Sequence, residues 1–480
     1  MLFNSFSFLI FFTILVVVYY LLPHRFRWGL LLVASVYFYA TFNVNYVLLL
    51  LAAALLAYAV GVAMGAVTQA GRKKALLVVG MLASLAPLIV YKYFDFFAAS
   101  LDSVLQHAGG AFSTRLGLLL PAGLSFFTFS CVSYLIDVYR GKLPPERHPG
   151  RMVLYVAFFP KLLAGPIERA TSFLPQLLRP IHFDPDDVAA GLQLMVWGLF
   201  KKVVIADRLG TFVDSAYLHP AFSSPVALLI ATYFFAFQIY CDFSGYSDIA
   251  IGAAQVLGIH LMENFRRPYL ATSVPEFWGR NRWHISLNDW FRDYMYFPMG
   301  GSRVSKPRYY FNQMAVFVVS GLWHGANWTF VIWGALNGLY QIVTLLTAGV
   351  RHRVAAGLHV PKMLGSIVSG LVTFHLVTIA WAFFRAASVQ DAFDILGRIA
   401  GTLPRLPTLL AVYPYSGEVI LSFVLIGVLL VIEILDEKRG LWETLRTQPR
   451  VVRWGFYYAL LIGLVVIGQW GLRQFVYMQF

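Results

Sequence analysis

Long apolar runs recur along almost the whole chain, and they constrain its fold more than any other feature. Many runs are about 17–22 residues long, which is the helix length needed to cross the hydrocarbon core of a bilayer. Of the 480 residues, 59% are hydrophobic and only 12% are charged, whereas soluble domains carry about 25% charged residues. The chain is therefore predicted to lie within a lipid bilayer.

Hydropathy predicts an all-α integral membrane protein with roughly 12–14 membrane segments. The predicted segments lie near 5–22, 27–41, 46–67, 75–95, 117–137, 152–171, 187–206, 223–241, 245–262, 310–327, 328–348, 364–385, 416–435 and 454–472. Pro160, Lys161 and Pro166 interrupt one of these runs, so we expect a half-span or re-entrant element there. Residues 1–480 are treated as a single membrane-embedded domain.

The formal net charge of +14 does not indicate a nucleic-acid partner, because the basic residues are scattered between apolar runs and form no basic tail. The two cysteines, Cys131 and Cys241, both lie in apolar surroundings. A disulfide framework and a cysteine-based metal site are therefore not expected, and we predict no metal site.

The basic residues also predict a topology, because loops rich in lysine and arginine stay on the cytoplasmic side of a membrane. Alternate loops carry such clusters at Arg25 and Arg27, at Arg72, Lys73 and Lys74, at Arg140, Lys142, Arg147 and Arg151, at Arg351, Arg353 and Lys362, and at Lys438, Arg439, Arg446, Arg450 and Arg453. Placing these loops in the cytoplasm puts both termini outside.

His324 lies inside an apolar run, in the stretch SGLWHGANW at residues 320–328. An imidazole at membrane depth costs free energy unless it has a partner side chain, contacts water or takes part in a reaction. Histidine is also well suited to proton transfer near neutral pH. By composition alone, helix packing and catalysis are equally good explanations. Trp323, Asn327 and Trp328 favour catalysis, because they indicate a polar, aromatic pocket. Gly321 and Gly325, four residues apart, predict a close helix approach.

Residues 277–303 combine tryptophan, tyrosine and charge in a loop. If residues 280–292 are helical, Asn281, His284 and Asn288 share one face, which could hold a polar ligand or orient an imidazole. Arg280 and Arg282 could bind phosphates, together with Arg303, Lys306 and Arg308. The alternative is an interfacial anchor. A weak His-x-x-x-x-Asp pattern at His284 and Asp289 is found in glycerolipid acyltransferases, but this chain lacks their extramembrane domain.

Further polar residues interrupt the apolar runs at residues 242–248 (DFSGYSD) and 160–169 (PKLLAGPIER). Such residues usually line cavities or pathways. Residue chemistry alone therefore leaves two classes open: an enzyme that uses His324 as a base, and a proton-coupled transporter. The absence of an evident internal repeat counts against the transporter.

Several motifs closely resemble those of the membrane-bound O-acyltransferase family, in particular its alginate O-acetyltransferase branch, with relatives that acetylate peptidoglycan or cellulose. They cover most of the chain and are found at residues 123–129 (GLSFFTF), 134–140 (YLIDVYR), 159–167 (FPKLLAGPI), 242–248 (DFSGYSD), 264–269 (NFRRPY), 277–287 (FWGRNRWHISL) and 321–325 (GLWHG). This resemblance implies a ring of helices around a central tunnel, a catalytic core near 120–350, and a C-terminal helix with an aromatic motif at 454–480. His324 corresponds to the family's catalytic base and His284 to its second polar position.

The resemblance also implies a function. A protein of this branch in the bacterial inner membrane, here with both termini periplasmic, would carry acetyl from cytoplasmic acetyl-CoA across the bilayer. A periplasmic acetyltransferase or esterase-like partner would then place it on a polysaccharide. The alternative within the family is D-alanyl transfer from a carrier-protein thioester to teichoic acid. Tyr477, in the terminal motif RQFVYMQF at 473–480, is a candidate acyl relay or acceptor-docking residue, with an aromatic interface anchor as the alternative.

Overall fold

The computed structural model describes residues 1–110, 112–279, 282–440, 444–445, 447–471 and 473–476, and it leaves the side chains of residues 352 and 355 undescribed. Within these ranges the regular elements are helices, and no strand occurs. The prediction of an all-α protein is therefore confirmed. Two compact units divide the chain, one built mainly from Met1–Met195 and Tyr246–Glu263, the other from Val196–Gly245 and Asn264–Val476.

The first unit is formed by a series of helices near the start of the chain. They are α1 (Phe6–Leu21), α2 (His24–Ala40), α3 (Val44–Ala66), α4 (Ala70–Leu88), α5 (Phe94–His107), α6 (Leu124–Tyr139), α7 (Pro149–Ala157), α8 (Phe159–Leu162) and α9 (Ala170–Leu178). Helix α6 begins after Gly123, whose φ of 75° is left-handed, and its residues from Leu124 to Val138 are all buried.

The predicted broken run at 152–171 forms the two short helices α7 and α8, followed by non-helical chain. Pro160 lies in the first turn of α8, where a proline costs no hydrogen bond. Lys161 is buried, and its Nζ lies 4.2 Å from the centre of the Tyr155 ring. The aromatic face therefore stabilises a cation that would otherwise be costly in this apolar core.

Two helices, α10 (Pro185–Leu199) and α12 (Pro225–Val256), contribute residues to both units. The second unit continues with α11 (Asp207–Leu218), α13 (Val274–Gly279), α14 (Ile285–Phe291), α15 (Lys306–His324), α16 (Trp328–Gly357), α17 (Lys362–Arg385), α18 (Val389–Thr402), α19 (Leu406–Val412), α20 (Gly417–Arg439) and α21 (Arg450–Ile467). Single π-helical turns lie at Ile89–Tyr93, Phe200–Ala206 and Arg292–Tyr296.

Among the described residues, eight helices are long and apolar enough to cross a membrane, and α1 and α6 are shorter apolar helices. The predicted segments at 223–241 and 245–262 differ from the structure, because α12 runs through both as one helix of 32 residues. Its polar residues need no break in the helix, since they find partners in the protein. The Lys201 Nζ, for example, donates to the Ser244 Oγ over 2.9 Å.

Helices α15 and α16 form a closely packed hairpin that ends beside His324. A Cβ on Gly321 would lie 2.2 Å from the Phe330 carbonyl oxygen, and one on Gly334 would lie 2.3 Å from that of Phe317. Only glycine allows the two backbones to approach this closely. The small-residue spacing predicted at Gly321 is therefore a true contact between helices.

The condition for a shared helical face over 280–292 is not met, because residues 282–284 are not helical and α14 begins only at Ile285. His284 has a φ of 44°, in the left-handed region, so it cannot belong to a right-handed helix. The next residue is drawn towards another segment, since the Ile285 N–H donates to the Asn264 carbonyl over 2.9 Å. His284 and Asn288 are thus not two positions on one continuous helical face.

Candidate active site

Two buried histidines lie close together in the second unit. The imidazole rings of His284 and His324 are 6.3 Å apart between centroids, with an angle of 51° between their planes. Only 1% of His284 and 4% of His324 is exposed. Because a small acyl group could contact both rings at this separation, the pair forms a candidate active site.

His324 occupies the last position of α15 and is enclosed by aromatic rings. Its centroid lies 4.9 Å from that of Trp323, 5.0 Å from that of Trp333 and 5.5 Å from that of Phe384, all in edge-on arrangements. Gly325 ends the helix, and a Cβ there would collide with the Phe330 ring at 2.1 Å. The imidazole is thus held in a low-dielectric aromatic wall, in which charge interactions are strengthened.

His284 sits at the start of α14 and is held by a short paired segment. The Ser286 N–H and Oγ both donate to the Asn264 Oδ1, over 3.3 and 2.9 Å. The His284 ring packs edge-on against Phe243 at 4.7 Å and stacks near Phe265 at 6.2 Å between centroids. A left-handed backbone at a non-glycine residue is strained, and such strain is characteristic of functional positions.

The environment of His284 keeps its imidazole neutral. His284 lies outside the eight candidate spans, and burial lowers its pKa to about 3. A neutral ring carries one donor and one acceptor nitrogen, so it suits hydrogen bonding to a reacting group better than charge pairing.

A cavity of about 260 Å³ lies in the same unit, and neither histidine is among its lining residues. Its lining includes Asn288, one turn after His284, and Ser320, one turn before His324. Trp278 also lines it and packs against Trp333, the ring that contacts His324. The cavity and the aromatic wall of the histidine pair are therefore linked through Trp278.

A model of the membrane-bound O-acyltransferase family matches residues 148–384, a range that contains both histidines and all the residues that line the cavity. The "Probable alginate O-acetylase AlgI" of Pseudomonas aeruginosa is 38% identical over 393 residues, which cover 81% of this chain and 72% of that protein. The chain belongs to the membrane-bound O-acyltransferase family.

Other members of the family show different degrees of similarity. The "Peptidoglycan O-acetyltransferase" of Helicobacter pylori is 34% identical over 397 residues, covering 77% of this chain and 73% of that protein. The "Teichoic acid D-alanyltransferase" of Bacillus subtilis is 26% identical over 269 residues, covering 54% and 65%. The predicted resemblance is confirmed: the chain is an O-acyltransferase and a multi-pass membrane protein.

The structure brings only some of the predicted site residues to the histidine pair of this O-acyltransferase. The Trp323 ring packs against both imidazoles, and its centroid lies 6.0 Å from that of His284 and 4.9 Å from that of His324. Asn288 lines the cavity, and its Nδ2 also donates to the Trp283 carbonyl over 2.6 Å.

Asn327 and Arg282 serve other contacts. The Asn327 Oδ1 caps α16 by accepting from the Thr329 N–H over 3.0 Å, and its Nδ2 donates to the Ala387 carbonyl. The Arg282 Nη2 pairs with Glu276 at 2.8 Å and with Glu437 at 3.0 Å. This guanidinium is therefore already neutralised by two carboxylates, which disfavours its predicted use as a phosphate ligand. Arg280, Asn281 and Tyr477 lie outside the described residues.

Sequence reasoning missed the residues that enclose the histidines: Phe243, Phe265, Trp333, Phe384 and Asn264. They come from four separate parts of the chain, and an apolar ring in an apolar run gives no local signal of a site. The motifs at 242–248 and 264–269 do contain three of them, so the resemblance held information that residue chemistry alone did not.

Proposed function

We propose that this O-acyltransferase transfers an acetyl group from acetyl-CoA towards an extracytoplasmic polysaccharide, with His324 as the general base. The observation that carries the proposal is the buried pair of His284 and His324, whose ring centroids lie 6.3 Å apart. Relatives named as alginate and peptidoglycan O-acetylating enzymes support the acetyl group and the polysaccharide class.

The chemistry needs few groups because a thioester is already activated. His324 takes the proton of an acceptor hydroxyl while the hydroxyl oxygen attacks the acetyl carbonyl carbon. The carbon–sulfur bond then breaks, and the departing thiolate recovers the proton from the imidazolium. His284, as a neutral ring, donates a hydrogen bond to the oxyanion that forms on the carbonyl, or orients the thioester.

The cavity is a suitable donor site in this proposal. Its lining mixes aromatic and aliphatic side chains with a few polar groups, among them Asn288, Gln313 and Gln341. Such a composition fits the amide-containing arm of a coenzyme A thioester, which needs apolar contact and a few hydrogen bonds.

The acceptor side is expected to depend on a second protein. We propose that a periplasmic acetyltransferase or esterase-like partner places the acetyl group on alginate, cellulose or peptidoglycan, with Tyr477 as relay or docking residue. The lower identity and coverage of the teichoic acid D-alanyltransferases disfavour D-alanyl transfer. A strain that lacks the partner but keeps this chain should lose acetylated polysaccharide, and retention of that product would refute the division of labour.

His324→Ala is the direct test of the catalytic base. Loss of a general base typically lowers the rate about 100- to 10,000-fold, so cellular acetylation should fall below detection. His375→Ala is the matched control, because His375 lies on membrane helix α17 with an exposed side chain. Both variants should reach the membrane at wild-type levels. Normal acetylation by His324→Ala would refute the role of His324 as general base.

The donor site can be tested by filling the cavity. Ser320→Phe places a ring in the space that Ser320 now lines, so the KM for acetyl-CoA should rise about tenfold or more, as expected from losing a subset of ligand contacts. Val319→Phe is the control, because Val319 is 41% exposed and does not line the cavity. An equal KM in the two variants would show that the donor binds elsewhere.

A further inference from the structure

A buried ionic cluster lies in the second unit, apart from the two histidines. The Lys202 Nζ lies 2.6 Å from the Asp242 Oδ1 and 2.9 Å from the Asp207 Oδ1. Lys202 and Asp242 are each 1% exposed, and Asp207 is 4% exposed. Lys202 belongs to the π-helical turn Phe200–Ala206, and such turns are frequent at functional sites.

The chain beyond α21 binds this cluster. The Val476 N–H donates to the Asp242 Oδ2 over 2.7 Å, and the Lys202 Nζ lies 4.3 Å from the centre of the Phe475 ring. Phe475 is 1% exposed. The Gln469 N–H also donates to the Val203 carbonyl over 2.9 Å. The described residues of the 468–476 segment, 468–471 and 473–476, are therefore bound through the backbone and through one aromatic face.

Asp242 uses its two oxygens for two different donors. The Oδ1 accepts from the Lys202 ammonium, and the Oδ2 accepts from the Val476 N–H. Hydrogen bonds to a carboxylate are stronger than neutral ones, and a low-dielectric interior strengthens them further. Phe475 in turn covers the ammonium and adds a cation–π contact to its two carboxylates.

The cluster is connected to the histidine pair through α12. Asp242 holds the 468–476 segment, and its neighbour Phe243 packs against the His284 ring at 4.7 Å. A displacement of this helical turn would therefore move the segment and the wall of His284 together.

We propose that Asp242 and Lys202 form a docking site for the 468–476 segment, and that docking holds the turn of α12 with Phe243, and with it the His284 ring, in the position used for catalysis. Asp242 is a positioning residue in this role. The docking of the segment is inferred from the contacts described above. The positioning role rests in addition on the proposed acetyl transfer.

Asp242→Asn is the test, with Asp207→Asn as its matched control. An asparagine at 242 has one acceptor oxygen for two donors, so its amide must face either Lys202 or the Val476 N–H. At 207 the exchange is tolerated, because within the described part of the chain only the Oδ1 of Asp207 is hydrogen-bonded and the Oδ2 has no partner. Both variants leave Lys202 with one intact carboxylate.

The first measurement is hydrogen–deuterium exchange of the peptide containing Val476, on full-length protein in detergent. Exchange should be about tenfold or more faster in Asp242→Asn, the population change expected from losing a hydrogen bond to a charged group. Asp207→Asn should keep the amide protected. Phe475→Leu, which keeps apolar bulk but removes the ring above Lys202, should also speed exchange and serves if Asp242→Asn does not fold. Wild-type protection in both Asp242→Asn and Phe475→Leu would overturn the docking site.

The second measurement is the kinetics of acetyl transfer. Asp242→Asn should lower kcat about tenfold more than Asp207→Asn does, while the KM for acetyl-CoA stays unchanged, since the donor cavity is not touched. Full kcat in a variant whose segment has lost protection would overturn the positioning role. A fully active His324→Ala with a protected Val476 amide would instead refute the proposed function and leave the docking site standing.

Discussion

At the scale of single residues, His284 is the position where backbone and side chain are most constrained. Its left-handed φ of 44° is held by the hydrogen bonds that Ile285 and Ser286, the first two residues of α14, donate to Asn264. Its ring is buried between Phe243 and Phe265. The surroundings therefore fix both where the imidazole lies and that it carries no charge.

The lowered pKa of His284 predicts a loss of stability in acid. The unfolded chain takes up a proton near pH 6.5, whereas the folded protein does not do so until about pH 3. His284 therefore does not reduce the free energy of unfolding above pH 6.5. As the pH falls below 6.5, this free energy decreases by up to about 1.4 kcal/mol per pH unit. His284→Asn tolerates the left-handed backbone and does not titrate. Thermal unfolding in detergent between about pH 7.5 and 5 should show a shallower acid slope for this variant, and identical slopes would contradict the prediction.

At the scale of helices, the α15–α16 hairpin determines where His324 lies. Gly321 and Gly334 bring the two backbones into contact, and Gly325 ends α15 against Phe330. His324 is the last residue of α15, so any separation of the hairpin would move the imidazole away from Trp333.

Gly321→Ala should destabilise the protein because the added Cβ would lie 2.2 Å from the Phe330 carbonyl. Overpacking of this kind costs about 1–3 kcal/mol, and the displaced His324 should also lower the acetylation rate. Gly349→Ala on α16 is the control, since its Cβ would meet nothing within 4 Å. This control should be neutral or more stable by up to about 1 kcal/mol, because alanine favours helix. Equal melting temperatures for the two variants in detergent would argue against the close packing.

At the scale of the whole molecule, the membrane topology follows from hydropathy and from the distribution of basic residues. Eight helices in the described part of the chain have the length and apolarity to cross a bilayer. The position of the basic loops predicts their orientation, with the cluster at Arg72, Lys73 and Lys74 in the cytoplasm. This prediction places both termini in the periplasm.

This topology can be tested with single cysteines. Cys131 and Cys241 are both fully buried, so they need not be removed before labelling. Asn45, in the first turn of α3, and Lys74, near the start of α4, are both exposed and lie on either side of the apolar part of α3 in the sequence. An impermeant maleimide should label Asn45→Cys in cells with an intact inner membrane, and Lys74→Cys only after that membrane is opened. The reverse pattern would invert the predicted orientation.

The sequence by itself determined the membrane class, the helical fold and the family, because hydropathy and compact motifs are local properties of a chain. It also singled out His324 and His284. It did not determine that they meet, since their pairing depends on the left-handed turn at His284 and on the glycine contacts of α15 and α16. Nor did it show that Arg282 forms salt bridges with Glu276 and Glu437, or that Asp242 accepts a hydrogen bond from the Val476 N–H. These are contacts between residues far apart in sequence, and only tertiary packing decides which partner a buried polar group finds.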